Sequence, residues 1–491
     1  METALWVVGG FGGTLFLVLL YDVLQTRHAI LRNFPIIGHF RYWLEAVGPE
    51  LRQYIVTSND EERPFSRDQR RWVYASSKKQ NNYFGFGTDN DLELSTNYVI
   101  IKHSTFPLHE PQPGEAGYDP LHPVACRKIM GGARNRKHAF RPESIIYVSA
   151  MSYGSLSGPA IEAINRGLKI AGGLHNTGEG GISPFHDHGG DLIFQLGTGY
   201  FGARDGDGNL SITRLVDRAQ NHNVKAIELK LSQGAKPGRG GVLPGAKVTA
   251  EIAAIRDIPI GVDCISPSYH RAFRNVDELL DLVEKIADAT GLPVGIKSAV
   301  GELTFWEDLA AAMANDRGRG VDYIAIDGGE GGTGAAPLVF SDHVALPFKI
   351  GFSRVYRAFE VQGLADDVVF LGAGRLGFPE SASLAMALGC DMIGVAREAM
   401  LSIGCIQAQR CHTGHFPAGV ATQNKWLMRG LDPTDKAARL ANYVVTLRKE
   451  MMWLALACGV EHPAELGLDR FEFLDGLGGR SARDVLGFNP L

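Results

Sequence analysis

Cysteine is scarce: six in 491 residues, scattered at 126, 264, 390, 405, 411 and 458. Such spacing excludes a disulfide framework and suits a reducing compartment. Net charge is also small, -5 from 49 basic and 54 acidic residues, which argues against nucleic acid as the main partner. The chain has no internal repeat and no low-complexity tract, so solenoids and disordered tails are set aside. Long apolar runs are missing except for one, Ala4 to Tyr21, 18 residues interrupted only by Thr14. At about 1.5 Å per residue it spans most of a bilayer core of roughly 30 Å. Glu2 precedes it, with no Lys or Arg and no small-residue cleavage site after it, which is unlike a secretory signal. Arg27, Arg32 and Arg41 follow it, so residues 1–25 are expected to anchor a single-pass membrane protein whose bulk is cytoplasmic. Gly9 and Gly13, one helical turn apart, leave open a homo-oligomer built through packing of two such anchors.

What is plentiful is glycine, 60 residues, which favours many tight strand-to-helix turns. Residues 26–140 read as a collar that covers the rest or seats it near the membrane. It has an amphipathic piece (Phe40 to Val56), a charged stretch (Asn59 to Arg71) and aromatic residues around Asn81 to Phe86. At Ile145 the texture changes. Short apolar runs at 145–150, 192–196, 226–231, 260–265, 294–298, 323–327, 368–372 and 392–396 alternate with helical patterns at 159–171, 276–289, 305–314 and 379–388. That alternation predicts a parallel sheet with helical crossovers, and its length an α/β fold of the (β/α)8 TIM-barrel type over 141–425. Residues 173–177 make a ninth candidate strand, and 260–265, inside a long connection, is the one expected to lie outside the barrel. Residues 426–491 read as a helical extension.

The chemistry concentrates after the strands. The strand 226–231 runs into a loop carrying Lys230, Gln233, Lys236 and Arg239 among glycines, which suits a carboxylate or phosphate. Gly331, Gly332 and Thr333 follow one late strand; Gly372, Gly374 and Arg375 the next; Ala396 and Arg397 the last. These are the places where barrels hold phosphate, and Lys297 ends another strand nearby. Together they point to a phosphorylated cofactor, and FMN is the one that a barrel carries whole. Met151, Ser152, Gly154 and Ser155, after the first strand, leave room for its flat ring. His186 and His188 read as loop residues, since two histidines do not complete a metal site.

Five segments in this order, Met151-Ser-Tyr-Gly-Ser155, Asn176-Thr-Gly-Glu-Gly-Gly181, Lys230-Leu-Ser-Gln-Gly-Ala-Lys-Pro-Gly238, Gly332-Thr-Gly-Ala335 and Pro417-Ala-Gly-Val-Ala-Thr-Gln423, resemble the FMN-binding synthase domain of glutamate synthases. The anchor with Arg32-Asn-Phe-Pro-Ile-Ile-Gly38 resembles a short, single-chain branch of that family. The resemblance implies reduction of 2-iminoglutarate, formed from 2-oxoglutarate and ammonia, to L-glutamate. It implies that Lys230, Gln233 and Lys236 hold 2-oxoglutarate. It further implies that Glu179 stands beside the flavin as a proton shuttle or ammonium guide, that Lys230 is the second catalytic residue, and that Gln195 faces the ring edge.

The departures matter as well. Large members hold a three-iron four-sulfur cluster on cysteines spaced C-x5-C-x4-C; here Cys405 and Cys411 keep the first spacing, but Phe416 takes the third place. The iron–sulfur cluster is therefore expected to be absent, and no other metal is expected. The chain resembles neither the glutaminase half nor a pyridine-nucleotide domain, so free ammonia and a ferredoxin or membrane redox partner are the expected sources. Two other readings stand beside this one: a different FMN barrel oxidoreductase acting on another oxo acid, and a membrane-tethered electron relay. Against an oxidase of 2-hydroxyacids, Asp327-Gly-Gly-Glu330 stands where that class has a His-Gly-Gly-Arg base.

Overall fold

Eight of the nine candidate strands close into one parallel barrel, in the computed structural model, which describes residues 2–488. Met1 of the expected anchor and residues 489–491 of the expected C-terminal extension lie outside that range. The strands are β1 (Ile146–Val148), β2 (Leu174–Asn176), β3 (Asp191–Leu196), β4 (Val224–Lys230), β5 (Val294–Ser298), β6 (Tyr323–Asp327), β7 (Val369–Ala373) and β8 (Met392–Val395). They neighbour one another in chain order, and β8 closes on β1 with Ile393, Gly394 and Val395 opposite Ile146, Tyr147 and Val148. The ninth candidate does lie outside. Only Cys264–Ile265 is extended there, paired antiparallel with Val242–Leu243 inside the long β4–β5 connection. Gly261, at φ 72°, interrupts the rest of that run, which Pro259 immediately precedes.

The crossover helices have local reasons to start and stop where they do. Ser157 caps Gly158–Ala171 by accepting from the Ala160 N–H, with Pro159 in the first turn, and Gly172 ends it at φ 78°. Asn275 caps Val276–Thr290 in the same way, and Gly291 ends it at φ 73°. The β2–β3 connection has a 3-10 turn, Pro184–His186, instead of a helix. After β8 a short helix, Arg397–Ser402, is followed by the 25-residue helix Pro433–Ala457, which packs on Gly158–Ala171 and on Pro379–Ala387. Gly167 permits that approach: a Cβ there would lie 2.7 Å from the Ala437 carbonyl oxygen and 2.9 Å from Leu440 Cβ.

Residues 124–140 close the barrel at the strands' N-terminal ends. Cys126, Met130 and Phe140 pack against the inward residues Tyr147, Leu174, Ile193, Ala226, Tyr323, Val369 and Met392. Cations hold this floor in place. Lys128 Nζ donates to Ala365 O (2.7 Å) and Val368 O (3.0 Å) and pairs with Asp391 (2.9 Å). Arg136 binds Glu284 through both terminal nitrogens and Asp322 through Nε. Farther out, Tyr98–Ile101 pairs with Phe471–Asp475, which pairs with Gly478–Ser481.

The chain divides into two compact units, residues 1–70 and 71–491. In the first, Glu2–Leu24 is one helix, and its stretch Leu5–Leu24 has mean hydropathy 1.9 and is long and apolar enough to cross a membrane. A short helix, Ala29–Asn33, and a longer one, Gly38–Leu51, follow. The turn between them is tied to the end of the first helix. Asp22, fully buried, accepts from the Ile36 N–H (2.8 Å) and lies 2.9 Å from His39 Nε2.

Candidate functional site

Alternation along β4 puts Ala226, Glu228 and Lys230 on one face, and the barrel turns that face inward. Register then sets the neighbours: Gln195 of β3 beside Glu228, and Lys297 of β5 beside Lys230. Glu228 is fully buried. Its Oε1 accepts from Gln195 Nε2 (2.6 Å) and Asn176 Nδ2 (2.8 Å), while Oε2 has no partner among the described residues. Burial raises its pKa above the usual carboxylate range, against the opposing pull of Lys297 and the two amides. Nearby, Lys297 Nζ donates to Ser149 Oγ (3.1 Å) and lies 3.5 Å from Asp327 Oδ2. Asp327 also accepts from the Gly234 N–H at 3.1 Å, which joins the loop after β4 to the end of β6.

Above this layer sit the residues singled out for substrate. Lys230 Nζ donates to Glu179 Oε1 and to Gln233 Oε1, both at 2.7 Å. Lys236, 3% exposed, donates to the Gly240 carbonyl at 3.0 Å. Burial and the neighbouring Lys230 lower the pKa of Lys236. Glu179 is shifted in the same direction for a different reason: burial disfavours its anion, but Lys230, with Lys236 and Arg256 beyond, outweighs this and holds its pKa below the usual range. Two glycines make its slot. A Cβ on Gly197 would lie 2.8 Å from Glu179 Cβ, and one on Gly241 2.7 Å from its Oε1. The structure thus gathers Glu179, Lys230, Gln233 and Lys236 into one charged cluster; Arg239 is exposed, 5.5 Å from the Phe340 ring.

The remaining sequence candidates spread along the mouth. Met151 is buried and Ser152 Oγ lies 3.0 Å from Ser155 Oγ, with Ser155 exposed. Gly178, next to Glu179, meets this turn so closely that a Cβ would stand 2.7 Å from the Ser152 nitrogen. Gly154 turns at φ 101°. Gly331 is half-buried, Gly332 and Thr333 are exposed, and Gly374 and Arg375 take positive φ of 139° and 58°. Gly372 is buried in β7, where a Cβ would meet Cys390 Sγ at 2.7 Å and the Phe348 ring. Ala396 precedes the helix Arg397–Ser402, and the Arg397 guanidinium folds back to donate to the Glu330 carbonyl, closing the loop after β6 against that after β8.

Several residues escaped the sequence reading. Glu228, Asn176, Ser149 and Asp327 complete the polar layer; for Glu228 the i, i+2 spacing to Lys230 was the available signal. His270 is another: its Nε2 donates to the Lys230 carbonyl (2.9 Å), and its Nδ1 lies 3.0 Å from the Tyr200 hydroxyl. Arg256 Nη2 donates to the Tyr153 carbonyl at 3.0 Å, behind the loop that carries Glu179. His186, read as a loop residue, lies in the 3-10 turn but is fully buried, its Nδ1 accepting from the Ser183 N–H at 3.0 Å. Burial drives its pKa down to about 3. His188 stays half-buried, 4.0 Å from Glu162.

With this geometry in view, known proteins can be set beside the chain. Residues 118–461 match the family described as "Conserved region in glutamate synthase". The chain is 38% identical over 473 residues to the glutamate synthase large subunit-like protein YerD of Bacillus subtilis, covering 90% of this chain and 89% of that relative. It is 35% identical over 319 residues to the archaeal glutamate synthase (NADPH) of Methanocaldococcus jannaschii, covering 64% of this chain and 59% of that one. It therefore spans about six-tenths of the latter's length. Among solved structures it is similar to a mandelate oxidase mutant with a monooxide FMN adduct, at TM-score 0.44 and 17% identity, covering 78% of this chain and 88% of that one.

Proposed function

The chain belongs to the glutamate synthase family, a family of oxidoreductases, and from that premise we propose that its barrel reduces 2-iminoglutarate to L-glutamate with FMN as cofactor. The observation that carries this reading is the cluster of Lys230, Gln233 and Lys236 around Glu179, directly above a buried polar layer. A dicarboxylate needs cationic or donor contacts at each end to fix its orientation. Lys230 and Lys236 supply charge and Gln233 an amide, on a loop fastened below by the Asp327 contact and behind by His270.

FMN fits the residues beside this cluster. Glu228 Oε2 is a buried oxygen with no partner among the described residues, Lys297 stands at the end of β5, and the Gly374–Arg375 turn follows β7, where barrels commonly hold a phosphate. Bound there, FMN supplies the hydride. The chain's own residues do the rest. Lys297 offers a cation toward developing negative charge, Gln195 and Asn176 fix Glu228, and the Met151–Ser155 turn gives small side chains for a flat ring to lie against. Glu179, held ionised by Lys230, is placed to guide ammonium and to accept and return the proton that imine formation moves.

The reading takes ammonia as free ammonium and electrons from a separate donor, a ferredoxin or a membrane redox partner. It also takes the chain to work without an iron–sulfur cluster, because Phe416, 1% exposed, fills the place of the third cysteine. Iron and sulfide assays on purified protein test that point. Finally, it takes Leu5–Leu24 as a membrane anchor, with the barrel cytoplasmic; its hydropathy and the arginines at 27, 32 and 41 support this.

The decisive experiment is anaerobic. The flavin is reduced chemically, 2-oxoglutarate and ammonium are added, and reoxidation and glutamate are followed together. Reoxidation with stoichiometric glutamate is expected; a flavin that stays reduced overturns the synthase reading.

A further inference from the structure

The helix Gly38–Leu51 carries an apolar stripe that nothing else in the first unit covers. Ile37, Phe40, Leu44, Val47 and Leu51 follow the i, i+3, i+4 spacing that puts residues on one face, and Trp43 borders it. Ile37 is 77% exposed, Phe40 60%, Trp43 57% and Leu44 41%. Ile30 and Phe34 extend the same surface into a shallow groove with Ile37, Phe40 and Leu44, rimmed by the Arg41–Glu45 ion pair at 2.9 Å. A soluble surface rarely leaves so many large apolar side chains contiguous and open.

The position of this stripe says what covers it. Asp22, in the last turns of the helix proposed to cross the membrane, is locked to Ile36 and His39. The stripe therefore begins one residue from a fixed contact with the end of the spanning segment, at the depth where chain leaves hydrocarbon for headgroups. His39 faces Asp22; Phe40 and Leu44 point away from that contact by helical rotation. Arg27, Arg32 and Arg41 follow the apolar helix within 17 residues of its end at Leu24, the kind of juxtamembrane basic charge that anionic headgroups attract.

We infer that Gly38–Leu51 is a second membrane element, an interfacial helix lying in the bilayer surface with Phe40, Leu44 and Leu51 in the acyl boundary. Ile30 and Phe34 extend that footing, and the Asp22 lock sets its angle to the anchor. The inference rests on the anchoring proposed above. Its occupant is lipid, and neither a second copy nor another protein.

The test uses the full chain in phosphatidylcholine–phosphatidylglycerol vesicles, with Cys411, the one native thiol not buried among the described residues, replaced by serine. An environment-sensitive fluorophore is placed on Leu44→Cys in one sample and on Ala46→Cys, on the opposite side of the helix, in another. The Leu44→Cys label is expected to emit at shorter wavelength and to lose at least half its intensity to lipids bearing a shallow nitroxide. The Ala46→Cys label should behave as in water. Protein that floats with vesicles while the label at 44 emits as in water keeps the anchor and overturns the interfacial helix. A label at 44 that is shielded but not quenched by lipid means that protein covers the stripe, which also overturns it. Failure to float at all sinks the anchor itself and the inference with it.

Discussion

Lys230 Nζ and Glu179 Oε1 are 2.7 Å apart, in side chains 10% and 19% exposed, and Lys230 is the main opposite charge on Glu179. Removing one partner of a buried pair costs roughly 3–5 kcal/mol where the remaining charge has no other compensation; here Lys236 and Arg256 still face Glu179. Lys230→Ala should therefore destabilise the fold by less than that, and Lys230→Ala/Glu179→Ala should regain most of the loss. Urea denaturation of the two singles and the double checks this; additive losses would deny the coupling.

On the proposed function, Lys230→Ala should also raise the KM for 2-oxoglutarate about 10- to 100-fold, the scale of one lost charge-assisted hydrogen bond. Flavin should be retained. Lys297→Ala should instead lower flavin occupancy, read from the absorbance ratio of purified protein. Equal flavin loss in both variants would contradict this division of labour.

Gly197→Ala is expected to push Glu179 from its slot, because the new Cβ would sit 2.8 Å from Glu179 Cβ and closer still to its carboxylate. Steady-state turnover should fall at least about tenfold, one factor of ten being 1.4 kcal/mol. The flavin spectrum should be unchanged. Wild-type turnover in this variant would show that Glu179 has no part in the chemistry.

His270 acts on Lys230 through the strand's last carbonyl, so it is a positioning residue. His270→Ala should raise KM for the oxo acid by about tenfold, and His270→Gln, whose amide can donate to the same carbonyl, should recover part of it. A loss in kcat alone, without rescue by glutamine, would place its role elsewhere.

Glu228 gives the pH dependence. Its folded-state pKa is raised by burial, so the fold holds that proton more tightly than the unfolded chain does. The stability this group contributes is full below the unfolded pKa and is lost as pH rises through the folded value. Glu228→Gln should thus be more stable than wild type at neutral pH, with the difference shrinking on acidification. Thermal unfolding from pH 4 to pH 8 checks the sign.

The barrel was legible because its strands announce themselves. Runs such as Val294–Ser298 and Tyr323–Asp327 are apolar, short and bounded by glycine, and they begin and end where the sequence puts them. The charged cluster was legible because Lys230, Gln233 and Lys236 share one loop. What holds that cluster was not. Tyr200 and His270 meet across 70 residues of chain, and Gly197 and Gly241 matter for what they lack, a relation that no local pattern records. Glu228 lay within reach of period-two reasoning, but its neighbours Asn176 and Gln195 depend on barrel register.

The floor built from residues 124–140 fills one end of the barrel, so the site described above is approached from the strands' C-terminal ends. On the proposed function, reductant, oxo acid, ammonium and product would share that mouth, and a protein donor seated over it would bar the metabolites while it stayed. Traffic must then alternate: the donor comes, reduces and departs before the oxo acid enters. Double-reciprocal plots at several donor concentrations should consequently run parallel, and excess donor should inhibit by competing with 2-oxoglutarate.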